Sequence, residues 1–363
     1  MSSDSKTPID IDALVCKDKL QPWLDENIPE LGSGPLTAKL ISGGTSNVIL
    51  GLNRGRDITM VMRRPPADPP PGSKKAVERE ATLLSALNAT NVPHPRVYGK
   101  CFDPDIVGSS FYIMELVNGW APELNNRNCL FNPPFDKAPL ISDLAYAMMD
   151  GLIALANVDY VAIGLKDYGK PEGFLERQVE RWGSQLAGYV NTYKNYKGRE
   201  IPGLNDVAEW LKNNIPANSK PGLMHGDYGF PNVMFCHDAP ARLAAMIDWE
   251  LSTVGDPLLD VAWYVNAFRD EREPDVIPRS TYFDASKFPT RQELARYWAK
   301  GTGRDIAHLD YYLVLAGYKG TCILEYKVAS AMDGLMSKEM GEMFNNFVLD
   351  GAFEAAKVVR WNS

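Results

Sequence analysis

The sequence predicts an α+β chain in two lobes. The first is small, with a five-stranded antiparallel sheet and one helix; the second is larger and mainly helical. Three observations lead there. Short apolar or alternating runs bounded by Gly, Pro and Asn crowd residues 37–116. Helical periodicity dominates from about residue 119 onward. Residues 223–256, LMHGDYGFPNVMFCHDAPARLAAMIDWELSTVGD, then interrupt the helices with short extended segments. The lobes are accordingly placed at 1–118 and 119–363.

The elements follow in order. Residues 9–28 read as one amphipathic helix with Leu14, Leu20, Trp23 and Leu24 on its apolar face. Strands are expected at about 37–42, 47–53 and 58–64. Pro65, Pro66, Pro69, Pro70 and Pro71 then stop regular structure and read as a stiff turn. A helix over 74–88 points Ala76, Leu83, Leu84 and Leu87 inward, and strands at 96–102 and 110–116 complete a βββαββ order. In the second lobe, helices are expected at 140–157, 171–197, 205–214, 256–269, 290–301, 308–332 and 339–358. Asp206 with Glu209, and Thr290 with Glu293, have capping-box spacing. Asp256 followed by Pro257 reads as a helix N-cap.

Composition narrows the function classes. Of 363 residues, 45% are hydrophobic and 23% charged, which suits a packed core of two or three subdomains. A net charge of -8 and a pI near 5.2 argue against a nucleic-acid partner. Cys16, Cys101, Cys129, Cys236 and Cys322 are scattered with no C-x-x-C pair, so neither a zinc site nor a disulfide framework is expected. The polar, acidic start has no apolar leader core, and no apolar run is long enough to span a bilayer. The expected setting is a reducing cytoplasm, with no membrane partner.

The chemistry concentrates in the stretch 223–248. His225-Gly226-Asp227 precedes Asn232 by five residues from the Asp, and Asp248 follows sixteen residues later. Kinase catalytic loops share this Asp-x-x-x-x-Asn spacing and are followed by a metal-binding Asp. Asp227 is the candidate base that orients an acceptor hydroxyl and takes its proton. Alone, H-G-D would serve only to bond a turn; the matching spacing turns the reading toward catalysis. Asn232 and Asp248 are candidate Mg²⁺ ligands, since hard oxygen donors suit Mg²⁺ and phosphates complete its shell. The apolar run 243–249 reads as a buried strand ending at Asp248, whose charge then requires a partner. His225 reads as a buried organiser of the loop, and Asp260 as its anchor.

Four further features fit phosphoryl transfer. Ser42, Gly43, Gly44, Thr45, Ser46 and Asn47 form a Gly-containing connection between strands, equally a tight hairpin turn and a phosphate cradle. The strand ending at residue 64 offers Arg63 and Arg64 as cations for the phosphates. Arg63 shares a face with Val61, and a small apolar residue two before the cation matches the kinase arrangement, so Arg63 is chosen. Glu80, in the next helix, is its expected partner, the other reading being solvated surface charges. Residues 112–119, YIMELVNG, read as a strand leading to a linker, where backbone at Met114, Glu115 and Val117 can meet adenine.

With these residues in hand, the chain resembles the aminoglycoside phosphotransferase and choline kinase family. The motifs that carry it are SGGTSN, VMRRPP, Glu80, FYIMELVNG, HGDYGFPNVMF and IDWELSTVGDPLLDVAW, spanning about 38–268. Arg63 in place of the usual Lys, and the wording IDWELSTVGDP, look most like the branch fused to acyl-CoA dehydrogenases. The resemblance implies a protein-kinase-like fold and an ATP- and Mg²⁺-dependent kinase acting on a small hydroxyl compound. Asp248 is followed by Trp249-Glu250 rather than Phe-Gly, and there is no protein-kinase activation segment ending in A-P-E after it, which points away from protein substrates. Arg63 keeps open a nucleotide-binding module without turnover, and an antibiotic kinase is the third reading.

Acceptor contacts are expected from Asp227, Tyr228, Glu250 and Trp182. The second lobe is rich in aromatic residues, and its acids Glu172, Glu176 and Glu180 alternate with Arg177 and Arg181 rather than clustering. An uncharged, partly apolar alcohol or hydroxyacyl compound therefore fits better than a polycation.

Overall fold

The computed structural model describes residues 10–43, 47–55, 60–125, 128–217 and 219–362. It has the expected α+β architecture, a five-stranded antiparallel sheet in the N-terminal region and a helical C-terminal region. The chain forms two compact units. The first comprises the chain through Gly119 with Val161–Leu165 and Ala244–Glu250; the second comprises the remainder.

In the first unit the expected single N-terminal helix is two helices, α1 (Ile11–Val15) and α2 (Lys17–Asn27). Cys16 lies between them with φ 45°, a left-handed conformation that breaks the helical path. Asp10 caps α1 by accepting from the Ala13 N–H at 3.0 Å. Then come β1 (Thr37–Gly43), β2 (Val48–Asn53), β3 (Met60–Arg64), α3 (Ser73–Leu87), β4 (Val97–Cys101), a short α4 (Pro104–Val107) and β5 (Phe111–Glu115). The strand order is β1-β2-β3-β5-β4, antiparallel throughout. On α3 the inward residues are Val77, Ala81, Leu83, Leu84 and Leu87; Ala76 is exposed, and Val77 fills the position expected for it.

Strand alternation assigns the two arginines of β3 to opposite faces. Leu50, Leu52, Met60, Met62, Phe111 and Ile113 form one core with Leu14, Leu20 and Leu24 of the N-terminal helices. Arg64 shares that face. It is buried there and donates to the carbonyls of Leu14, Val107 (2.9 Å) and Pro65 (3.0 Å). The alternative reading of the arginines as solvated surface charges does not hold for Arg64, which ties α1, β3 and α4 together. Burial pushes its guanidinium pKa down, with the Cys16 thiol acting the other way.

The second unit contains a two-stranded pair, β6 (Glu123–Asn125) with β7 (Asn128–Leu130), that the sequence does not signal. Next are α5 (Leu140–Ala156), α6 (Gln178–Thr192), α7 (Leu204–Asn213), β8 (Gly222–Met224), β9 (Val233–Phe235) and β10 (Leu243–Met246), the last passing into the first unit at Ala244. β11 (Thr253–Gly255), α8 (Leu258–Val265), α9 (Arg291–Thr302), α10 (Leu309–Met332) and α11 (Lys338–Trp361) complete the chain. β11 pairs antiparallel with β8. Helix α6 begins seven residues later than expected (178 against 171), after turns containing Pro171 and Gly173, the latter at φ +59°. The capping box at Thr290 and Glu293 is formed. That at Asp206 is not, because α7 starts at Leu204 behind Gly203 and Asp206 lies within its first turn. α10 and α11 approach closely: a Cβ on Gly317 would lie 2.9 Å from that of Ala355. No described helix is long and apolar enough to cross a membrane.

Replacing Arg64 with Met leaves buried carbonyls without their donor. The expected loss is about 2 kcal/mol of unfolding free energy, measured by urea denaturation. A loss below about 0.5 kcal/mol would contradict the clamp.

Candidate active site

In the first unit the site is built on the face of the sheet opposite Arg64. Arg63 and Tyr112 are register partners on β3 and β5, so their side chains share this face. Helix α3 brings Glu80 against them. The Arg63 Nε lies 3.0 Å from Glu80 Oε2, and both side chains are buried. Arg63 Nη2 is also 3.4 Å from Asp248 Oδ1. Burial works against the Arg63 charge, but Glu80, Tyr112 and Asp248 outweigh it and raise the guanidinium pKa. Burial likewise pushes the Glu80 carboxyl up, while Arg63 draws it back toward the ionised form. Glu80 is further bonded by the Tyr112 hydroxyl and accepts from the Trp249 N–H at 3.4 Å. One buried carboxylate therefore fastens both the strand cation and the segment bearing Asp248.

Asp248 does not end a strand. β10 stops at Met246, and Asp248 has φ +65° with its side chain 43% exposed. The left-handed turn lifts the carboxylate out of the apolar run, so it is less desolvated than a strand end requires. Glu250, expected at the acceptor, belongs to the first unit and is exposed. Of the Gly-containing connection, Ser42 and Gly43 end β1 and Asn47 precedes β2; Gly44, Thr45 and Ser46 lie outside the described residues. A register shift between Leu40 and Ser42 bends β1 just before it. Met114 and Glu115 lie on β5, and the Glu115 N–H donates to the Arg96 carbonyl at 2.8 Å. Val117 follows the strand.

The second unit holds Asp227 on a loop gripped from two helices. On α8, Asp260 accepts from the N–H groups of His225 (2.5 Å) and Gly226 (3.0 Å). On α10, Lys319 donates to the Gly226 carbonyl. Gly226 has φ +86°, and a Cβ there would lie 2.2 Å from the Leu251 carbonyl oxygen, so this position demands glycine. His225 is fully buried, and its Nδ1 accepts from the Asp227 N–H at 3.3 Å. Asn232 donates through Nδ2 to the Asp227 carbonyl (2.7 Å) and to Asp227 Oδ2 (3.1 Å). Asp256 accepts from the Leu258 N–H at 3.0 Å and from the Tyr312 hydroxyl at 2.6 Å, capping α8 from just before Pro257.

Asp227 opens on a cavity of about 420 Å³ lined also by Trp263, Tyr282, Leu324, Phe344 and Phe347. Asp227 is the one charged side chain among the described lining residues. Tyr228 lines it as well, but its hydroxyl donates to the Met148 carbonyl at 2.8 Å, which makes it a packing residue. Trp182, expected at the acceptor, is buried on α6 with its Nε1 donating to Gln178, and it does not line this cavity. Trp263 lines it instead. The Lys319 ammonium lies 4.2 Å from the Trp263 ring centroid. Sequence reasoning passed over Lys319; its signal was a lone cation inside the apolar stretch YYLVLAGYKGTCIL of α10.

Burial pushes the Asp260 carboxyl up to about 6, against the lowering effects of Lys319 and the two N–H donors. An unfolded Asp titrates near 4, so the folded state holds this proton more tightly. Its contribution to stability is present below about pH 4 and is lost as pH rises through about 6. The Asp260→Asn variant should lack this part of the pH dependence, read from urea midpoints across that window. A profile parallel to that of the parent would contradict the assignment.

Comparisons with known proteins agree with the fold. The model of the Phosphotransferase enzyme family (APH) matches residues 37–297. Acyl-CoA dehydrogenase family member 11 of Gallus gallus is 28% identical over 332 residues, covering 88% of this chain and 40% of that protein. The chain spans about two fifths of the length of the curated relatives it matches. A solved structure from Ralstonia eutropha JMP134, provisionally described as an aminoglycoside phosphotransferase, has a TM-score of 0.75 and 28% identity, covering 94% of this chain and 98% of its own. ADP-bound aminoglycoside phosphotransferase APH(2'')-Ib shares the fold at a TM-score of 0.51 and 15% identity, over 92% of this chain and 97% of its own. The motif resemblance is thereby shown, including its lean toward the acyl-CoA dehydrogenase branch. This chain belongs to the phosphotransferase enzyme family.

Proposed function

We propose that the chain is a small-molecule kinase that moves the γ-phosphate of ATP, with Mg²⁺, to a hydroxyl of an uncharged, partly apolar acceptor. The observation that carries this reading is Asp227 as the single charged side chain among the described lining residues of an otherwise largely apolar cavity. In the reaction, Asp227 orients the acceptor hydroxyl and takes its proton as the bond to phosphorus forms.

The residues present fit the nucleotide and the cation. Asn232 spends its amide N–H on Asp227, which leaves its carbonyl Oδ1 as the donor for a hard cation. Asp248 presents a half-exposed carboxylate. Mg²⁺ uses few protein ligands, and no cluster of three His, Cys, Asp or Glu occurs among the described residues. When bound, Mg²⁺ supplies charge neutralisation on the phosphate oxygens. Arg63, held charged by Glu80, offers a forked cation to the phosphates. The Glu115 carbonyl and the Val117 backbone suit adenine, the Glu115 N–H being spent within the sheet. The Gly-containing connection, Ser42 to Asn47, is assigned to the phosphates, and Met114 to the adenine side.

The acceptor is neutral for two reasons. Among the described lining residues a polycation would meet only one carboxylate in the cavity. The face of Trp263 already carries the Lys319 ammonium, which repels a second cation. An alcohol or hydroxyacyl compound meets both conditions, and the names of the acyl-CoA dehydrogenase relatives are in keeping with acyl chemistry. An aminoglycoside does not meet them. One observation favours a second reading, nucleotide binding without turnover: Arg63 is ion-paired to Asp248 itself.

Asp227→Ala should cut Mg²⁺-dependent ADP release with neutral alcohols at least about a hundredfold. ATP should still raise the melting temperature of this variant. Undiminished ADP release by the variant would remove Asp227 as the base; stabilisation by ATP with no acceptor-dependent ADP release by the parent would favour the silent module.

A further inference from the structure

Helix α10 supplies one wall of the acceptor cavity, and two of its residues there are the glycines Gly317 and Gly320. They serve different ends. Gly317 is a packing glycine: a Cβ there would lie 2.9 Å from the Cβ of Ala355 and 3.3 Å from the Gly351 carbonyl oxygen. At Gly320, among the described residues, a Cβ would meet only two ring carbons of Trp263, at 3.5 and 3.6 Å, which is ordinary van der Waals contact. Packing therefore does not require glycine at 320, and glycine inside a helix weakens it. Gly320 and Trp263 both line the cavity, and both are partly exposed. Side chains on a helix lean toward its N-terminal end, over the residues three and four before. A side chain at 320 would thus lie over Gly317 and Ala316, two more lining residues, and beside the Trp263 ring. Its absence keeps that part of the cavity open.

We infer that Gly320 is a specificity-determining residue, a notch in α10 that admits the hydrocarbon part of the acceptor against the ring of Trp263. The inference rests on the acceptor reading of this cavity given above and narrows it. Phe344 and Phe347 of α11 add apolar wall, and the volume of about 420 Å³ lies in the range of pockets that enclose whole organic ligands. The acceptor class is therefore a neutral hydroxy compound with an extended apolar portion, rather than a small alcohol.

The test titrates methyl 3-hydroxydecanoate and methyl 3-hydroxybutanoate, which share a head and differ only in chain length, into the full chain by calorimetry. The parent should bind the longer ester at least roughly tenfold more tightly, since more hydrocarbon is buried. Gly320→Leu should bring the longer ester down to the affinity of the shorter one and leave the shorter within about twofold of the parent. Gly320→Ala should melt no lower than the parent, because alanine favours the helix, and should weaken the longer ester about threefold. No chain-length preference in the parent, its survival in Gly320→Leu, or an equal loss of both esters would overturn the inference. Should Gly320→Leu not fold, Gly320→Ala decides: an unchanged preference, or a lowered melting temperature, overturns it. Binding is read apart from turnover. A preference set by Gly320 without ADP release would remove the kinase reading and leave the notch standing; ADP release without the preference would remove the notch alone.

Discussion

Two buried charges on different helices hold the backbone of the loop that carries Asp227. Asp260 takes the N–H groups of His225 and Gly226, and Lys319 takes the carbonyl of Gly226. Neither charge tolerates burial alone; stripping either of its partner leaves an ion without water, a penalty of several kcal/mol. The loop is consequently over-determined. Gly226 has room for no side chain, and Asn232 closes the turn onto Asp227. Such fixed geometry suits the role proposed for Asp227, a base that meets a hydroxyl within hydrogen-bond reach.

The first unit solves a similar problem with a different pair. Adjacent arginines on β3 leave the sheet on opposite faces, and the faces give them different work. Arg64 becomes a neutral-partner clamp between α1 and α4. Arg63 meets Glu80 and Asp248 and keeps its charge. One residue of register would exchange them, so the pleat of β3 decides which arginine meets Glu80 and Asp248.

Much of this was legible in the sequence because periodicity and spacing encode it. Alternation picked Arg63 over Arg64, and the five strands and the long C-terminal helices followed from apolar patterns. The spacing from Asp227 to Asn232 fixed the loop, whose anchor Asp260 also lay where the reading put it. What escaped depends on backbone states or on distant packing. The break at Cys16 and the left-handed turn at Asp248 occur at residues with no glycine to announce them. Trp182 and Trp263 are equivalent as letters, and only the packing of α6, α8 and α10 places one in the core and the other on the cavity.

The fate of the γ-phosphate tests the proposed chemistry at Asp227 most directly. The measurement is transfer of label from γ-labelled ATP, with product identified by mass spectrometry across neutral hydroxyl compounds. The account predicts a phosphomonoester of the acceptor, formed only with Mg²⁺. Label that stays in ATP, or that appears solely as inorganic phosphate whatever hydroxyl compound is supplied, would contradict it.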